Sequence, residues 1–213
     1  MRFAALHGVQ VVPEIDMPGH TTSIGLAYPD LVAAANVQPN WDTYAAEPPS
    51  GTLKLNSSAV DKFLDILVAD LGPRVQEFGA YFHTGGDEVN RRAYELDETV
   101  GTSDFGVLKG LVGGFVERMH GRVRGEGLVP VVWEEMLLEW GVGLGEDVVV
   151  QTWRESESVR KVVEKGYRVL VGNYKFWVCS SDFISFFSLR PVFSFPPDLF
   201  LYLFFPFHII LFL

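Results

Sequence analysis

The run His83-Thr84-Gly85-Gly86-Asp87-Glu88 places two carboxylates side by side behind two glycines. Adjacent carboxylates repel when both are charged, so the pKa of one tends to rise. A carboxyl that keeps its proton near neutral pH is what a general acid requires to cleave a glycosidic bond. The glycines let the backbone approach a ligand closely and re-aim the side chains that follow. Taken by itself, the same run also reads as an acidic turn opening a helix, with Asp87 as its cap.

Other groups could join this pair. Asp16 and His20 sit in Asp16-Met17-Pro18-Gly19-His20, and His20 either supports a site or satisfies a loop carbonyl. Trp133 and Trp153 are core aromatics or, at matching strand ends, a platform for the C–H face of a pyranose. Glu134, Glu135 and Glu139 read as the solvated start of a helix. No Cys/His spacing suggests a zinc site and no Gly-x-Ser-x-Gly elbow is present, so neither a metal nor a cofactor is expected.

Strand-like and helix-like runs alternate around these groups. Residues 8–15, 79–84, 129–133, 147–153 and 167–171 read as strands. Residues 56–71 carry Val60, Phe63, Leu64, Leu67, Val68 and Leu71 on one helical face, with Asn56 or Ser57 as cap and Gly72-Pro73 as stop. A second helix is expected over 105–126, with Leu108, Leu111, Val112, Phe115, Val116 and Met119 inward, and a third over 156–165, closed by Gly166. Such alternation implies βαβ units and a parallel sheet. No G-x-G-x-x-G or phosphate-loop motif follows any strand, which disfavours a dinucleotide or ATP fold. The expectation is an α/β fold, a partial (β/α)8 TIM barrel with about five of the eight strands, since complete barrels typically need about 250 residues. The chemistry-bearing residues fall at the C-terminal strand ends, the face on which barrels build active sites.

Composition sets outer bounds. The chain has 213 residues, 48% of them apolar, and a net charge of -10. Nucleic-acid binding is excluded as an expectation, because no cluster of Lys and Arg appears. The single cysteine, Cys179, forms no internal disulfide, and the polar start at Met1-Arg2 does not read as a targeting signal. Residues 1–177 read as the partial catalytic barrel and 178–213 as a distinct hydrophobic tail. The tail holds ten of the 17 Phe, with only Asp182, Arg190 and Asp198 charged. Its last apolar stretch, 199–213, contains Pro206 and falls short of the roughly 20 residues of a membrane span. Phe, Leu, Ser and Pro have pyrimidine-rich codons, and Val178-Cys179 is what an intron opening GTATGT would encode. Intron read-through is favoured over a membrane-seeking tail.

Val12-Pro-Glu-Ile-Asp-Met-Pro-Gly-His20-Thr, His83-Thr-Gly-Gly-Asp-Glu88, Val132-Trp-Glu-Glu and Gln151-Thr-Trp153 resemble, in order, the motifs of glycoside hydrolase family 20, with the likeness strongest to fungal β-N-acetylhexosaminidases. The resemblance covers residues 1–177. It implies a (β/α)8 domain that removes terminal N-acetylglucosamine or N-acetylgalactosamine with retention, by one of the substrate-assisted exceptions to the two-carboxylate scheme. By this likeness Glu88 protonates the leaving oxygen and later activates water, and Asp87 orients the 2-acetamido group. Trp133 and Trp153 wall the acetamido pocket, and His20 supports the site. The implied partners are N-acetylhexosamine-terminated glycans or chitin oligomers, and the implied location is secreted or vacuolar/lysosomal. The family's early strands, with an Arg that grips sugar hydroxyls, would precede Met1. Its Tyr-Leu-Asp element would follow Trp177, where this sequence reads Val178-Cys179. A last strand, bearing a Trp and a sugar-binding Glu, is also unmatched. The chain taken alone is therefore expected to be inactive or nearly so. A non-catalytic carbohydrate-binding or membrane-tethered protein on the same scaffold is the alternative.

Overall fold

A computed structural model describes residues 1–173, together with the backbone of Leu203–Phe205 and Ile209–Leu211. The boundary expected at 177/178 and most of the tail lie outside the described residues.

The centre is a parallel sheet of β4 (Tyr81–His83), β5 (Val129–Trp133), β6 (Val149–Thr152) and β7 (Arg168–Val171), in that spatial order. Residues 13–17 run parallel beside β4, since His83 N–H donates to Pro13 O (2.9 Å), Ile15 N–H to His83 O (3.1 Å) and Met17 N–H to Thr84 O (3.2 Å). Five adjacent parallel positions result, as the alternation of elements implied. Upstream, β1 (Val9–Val11) pairs antiparallel with Ile209–Leu211, which pairs in turn with Leu203–Phe205.

Successive strand residues face opposite sides of the sheet. Val12, Val131, Val149 and Leu170 form one buried layer on the concave side. Phe82, Val132, Val150, Val169 and Val171 face the helices in the larger core. Strands buried on both faces explain the continuous Val-rich runs.

After the short α1 (Arg2–Leu6), α2 (Thr22–Ala27) and α3 (Trp41–Tyr44), helix α4 (Ser58–Gln76) buries Val60, Leu64, Val68 and Val75, and its cap Ser57 accepts from Val60 N–H. It does not stop at Gly72-Pro73. Pro73 removes one intrahelical bond, yet the ladder resumes with Glu77 N–H to Pro73 O (3.3 Å), because Val75 is still buried in the core beyond it. Helix α5 (Phe105–Gly125) opens on Asp104, which accepts from Val107 N–H (2.9 Å), and buries Leu108, Val112, Phe115, Val116 and Met119 as the spacing predicts. Arg122 on α5 binds Asp61 (2.8 Å) and Asp65 (2.6 Å) on α4, clasping the two helices. Beyond β5 and β6 come the short α6 (Glu134–Leu138) and the amphipathic α7 (Ser156–Glu164). An antiparallel pair, β2 (Val32–Ala33) and β3 (Thr52–Leu53), was not evident in the sequence. It braces the Pro-Gly-His loop, with Leu53 N–H (2.7 Å) and Thr52 Oγ1 (3.1 Å) donating to Pro18 O. No helix among the described residues is long and apolar enough to cross a membrane.

Candidate active site

One step along each strand from the concave apolar layer, the side chains turn polar. Val12 is followed two residues on by Glu14, and Val131 by Trp133. Glu14 Oε1 accepts from Trp133 Nε1 (2.9 Å) and lies 3.4 Å from His83 Nδ1, and the His83 and Trp133 rings are 4.8 Å apart. This buried layer is the floor of the site.

His83 also shapes the chain above it. Its Nδ1 accepts Gly85 N–H (2.9 Å). Gly85 and Gly86 have φ of 71° and 105°, the region that favours glycine. A Cβ on Gly85 would overlap the Asp16 carboxylate, and one on Gly86 would stand 2.6 Å from Met136 Cγ. The glycines are therefore required by close approach as well as by backbone conformation. Glu88 itself has φ 51° and His20 φ 53°, an uncommon geometry concentrated at functional positions.

The loops bring His20 to both carboxylates, with Nε2 3.4 Å from Glu88 Oε2 and 3.8 Å from Asp87 Oδ2. Asp87 is not a helix cap. The helical turn after it, Arg91–Leu96, is capped by Asn90, whose Oδ1 accepts from Arg92 N–H (2.9 Å). The reading of this run as a mere helix start is thereby set aside.

Asp16 shows the carboxyl repulsion most clearly. Burial first, then the charge of Asp87, push it up to about 10. Its Oδ1 accepts Gly86 N–H (2.9 Å), and a carboxylate oxygen of Asp87 lies within 4.8 Å, close enough to disfavour a second charge on Asp16. The sequence placed Asp16 at this strand end but assigned it no role. Its inward period-2 register with Val12 and Glu14 was the available signal.

Trp133 and Trp153 stand at the ends of β5 and β6, both half-buried, and each indole N–H meets a carboxylate. Trp153 Nε1 lies 3.0 and 3.1 Å from the two oxygens of Glu135. The expectation of a solvated Glu134–Glu135 start is wrong. These residues are 3% and 1% exposed, because α6 tucks its first turn under the strand ends. Burial raises Glu134, and it lifts Glu135 to about 8 against the opposing Arg154, with Asp87 adding to the rise. Glu139 alone of the three is exposed, paired with Arg154.

Asp16, His20 and Asp87 each offer an atom within 4.8 Å of the others, a spacing a metal ion could use. His20 faces the two catalytic-loop carboxylates, and burial together with the charge of Asp87 pushes Asp16 up, so the three groups offset one another's charge. All five predicted residues thus converge on the strand-end mouth. They form two carboxylates beside an imidazole and two anchored indoles, with Asp16 as an unpredicted sixth member.

Residues 1–181 match the glycosyl hydrolase family 20 catalytic domain. The chain belongs to that family. It is 46% identical over 192 residues to a beta-hexosaminidase of Arthroderma benhamiae, covering 86% of this chain and 32% of that protein. To beta-hexosaminidase 1 of Arabidopsis thaliana it is 30% identical over 181 residues, covering 83% and 31%. Among solved structures, the chitobiase of Flavobacterium johnsoniae superposes with a TM-score of 0.65 at 26% identity, covering 81% of this chain and 27% of that one. The family 20 chain therefore spans 32% and 31% of the lengths of the two curated relatives, and its five parallel strand positions form a partial (β/α)8 barrel.

Proposed function

We propose that this family 20 segment carries the acid–base half of a β-N-acetylhexosaminidase site, which removes terminal non-reducing N-acetyl-D-hexosamine from β-N-acetylhexosaminides. The observation that carries the reading is the meeting of His20 with both carboxylates, its Nε2 3.4 Å from Glu88 Oε2 and 3.8 Å from Asp87 Oδ2, with Asp16 pushed up by burial and by Asp87 behind them. A neutral Asp16 donates to Asp87, so Asp87 remains an acceptor for the substrate's acetamido N–H.

With that N–H held, the acetamide oxygen attacks the anomeric carbon as its bond to the leaving oxygen breaks. Glu88 gives its proton to that oxygen, and the sugar becomes a cyclic oxazolinium whose charge Asp87 offsets. Glu88, now a carboxylate, takes a proton from water, which opens the ring at the anomeric carbon. Two inversions give net retention. His20, 3.4 Å from Glu88, stabilises the carboxylate between the two steps. Trp133 and Trp153 wall the acetamide pocket.

The supported substrates are N-acetylglucosamine- or N-acetylgalactosamine-terminated glycans and chitin oligomers, the latter in keeping with a chitobiase among the structural relatives. A secreted or vacuolar/lysosomal location accords with this reading. The test is turnover of 4-nitrophenyl N-acetyl-β-glucosaminide against 4-nitrophenyl β-glucoside by a catalytic domain containing these residues. Only the acetamido substrate should react, and Glu88→Gln should lower its rate by about 100-fold or more. Equal use of the glucoside, or an active Glu88→Gln, rejects the mechanism. The 213-residue chain alone should show little or no turnover, since it spans 32% of the length of its Arthroderma benhamiae relative. We also propose that 178–213 derives from an intron. Sequencing the mature transcript across the Trp177 codon decides this, and an unchanged Phe-rich reading frame refutes it.

A further inference from the structure

The buried carboxylate of Glu135 is not used by the chemistry above. We propose that Glu135 is the positioning residue of Trp153: from the first turn of α6 it fixes the indole's rotation, while Arg154 covers the ring's outer face and leaves the other for the sugar.

A Trp ring has two rotatable bonds and one polar atom, and a buried indole N–H normally finds a partner. Here a single N–H faces both oxygens of one carboxylate at 3.0 and 3.1 Å, so rotation of the ring in either sense breaks the contact. The carboxylate cannot follow, being 1% exposed on a backbone pinned by α6. Its charge is met by Arg154 Nη2 at 3.0 Å from Oε1. The same guanidinium lies 5.1 Å from the Trp153 ring centroid, a cation–π distance, and also pairs with Glu139. Glu135, Trp153 and Arg154 thus close a triangle in which each member restrains the other two.

The same short helix supports the acid–base loop. Met136, the next residue, packs against Gly86, and Trp133 N–H, just before α6, donates to Gly85 O (3.0 Å). One five-residue helix therefore sets both the loop that carries Asp87 and the ring proposed to wall the acetamide pocket. A glutamate suits this position better than an apolar residue, because the indole N–H and Arg154 would otherwise lose their acceptor.

The role of Trp153 rests on the functional reading above, but its positioning by Glu135 can be measured separately. The 15N-labelled 213-residue chain is followed by the indole N–H resonances, with Trp153 assigned by Trp153→Phe. Arg154 and Asp87 are the charges that face Glu135. In the unsubstituted chain the Trp153 indole should show a titration step between pH 6 and 9, and that step should vanish in Glu135→Gln while Trp133 and Trp140 keep their shifts. A Trp153 indole whose step persists in Glu135→Gln, or whose shift is the same in the two proteins at every pH, overturns the proposal. This readout needs no ligand. N-acetylglucosamine titrations of a catalytic domain containing these residues, with the same substitutions, then address the sugar. Glu135→Met should bind about tenfold more weakly, the loss of one hydrogen bond to a charged group, with Glu135→Gln recovering most of the affinity. Equal binding by Glu135→Met also counts against the proposal. If no sample binds the sugar, the functional reading fails and the indole titration still decides the positioning.

Discussion

Replacing Asp16 by Asn should flatten the dependence of stability on alkaline pH. Asp16 is lifted to about 10 by burial and by Asp87, against an unfolded value near 4. Between those limits the folded chain holds a proton that the unfolded chain has released. Stability therefore falls as pH rises, by about 1.4 kcal/mol per pH unit for one proton. Below pH 6.5 the picture is mixed, because burial, with Arg124, holds His120 down to about 3 and gives a slope of the opposite sign. Glu135, at about 8, adds to the fall until it too ionises. The window from pH 7 to 9 isolates Asp16 best. Asn at this position retains an oxygen for Gly86 N–H and supplies an N–H to Asp87 in place of the acid proton. Urea unfolding at pH 7 and pH 9 should show the chain losing about 2–3 kcal/mol more than Asp16→Asn over the interval. Whatever constant offset the substitution introduces cancels in the comparison of slopes. Parallel slopes for the two proteins would refute the assignment of that proton to Asp16.

Gly85→Ala should destabilise the fold by about 2 kcal/mol or more, measured by the same urea titration, since φ is 71° and the new methyl overlaps Asp16. Thr84→Val should cost about 1–3 kcal/mol. The Thr84 hydroxyl donates to Val131 O (3.2 Å) and accepts from the neutral His120 ring (3.2 Å), so both buried partners lose it. Asp104→Ala should lower stability by about 1 kcal/mol through loss of the α5 cap, and Asp104→Ser should restore most of it.

The sequence determined the elements and the chemistry-bearing segments. The five parallel strand positions, the apolar faces of α4 and α5 and the extent of α5 follow from periodicity and spacing within one stretch of chain. Asp87, Glu88, His20, Trp133 and Trp153 were visible as strand-end residues, and a parallel barrel collects such ends on one face. Only the tertiary structure decided how these groups are compensated. Glu134 and Glu135 look like any acidic helix start, and nothing local reveals that α6 packs its first turn inward beneath β6. Asp87 meets Asp16 across 71 positions of sequence, and Trp133 meets Glu14 across 119. Pro73 reads as a stop, but the burial of Val75 carries the helix past it. Local patterns report backbone preference and which face is apolar. The protonation state of a carboxyl depends on water exclusion and on charges brought in from distant strands, and only the folded chain fixes those.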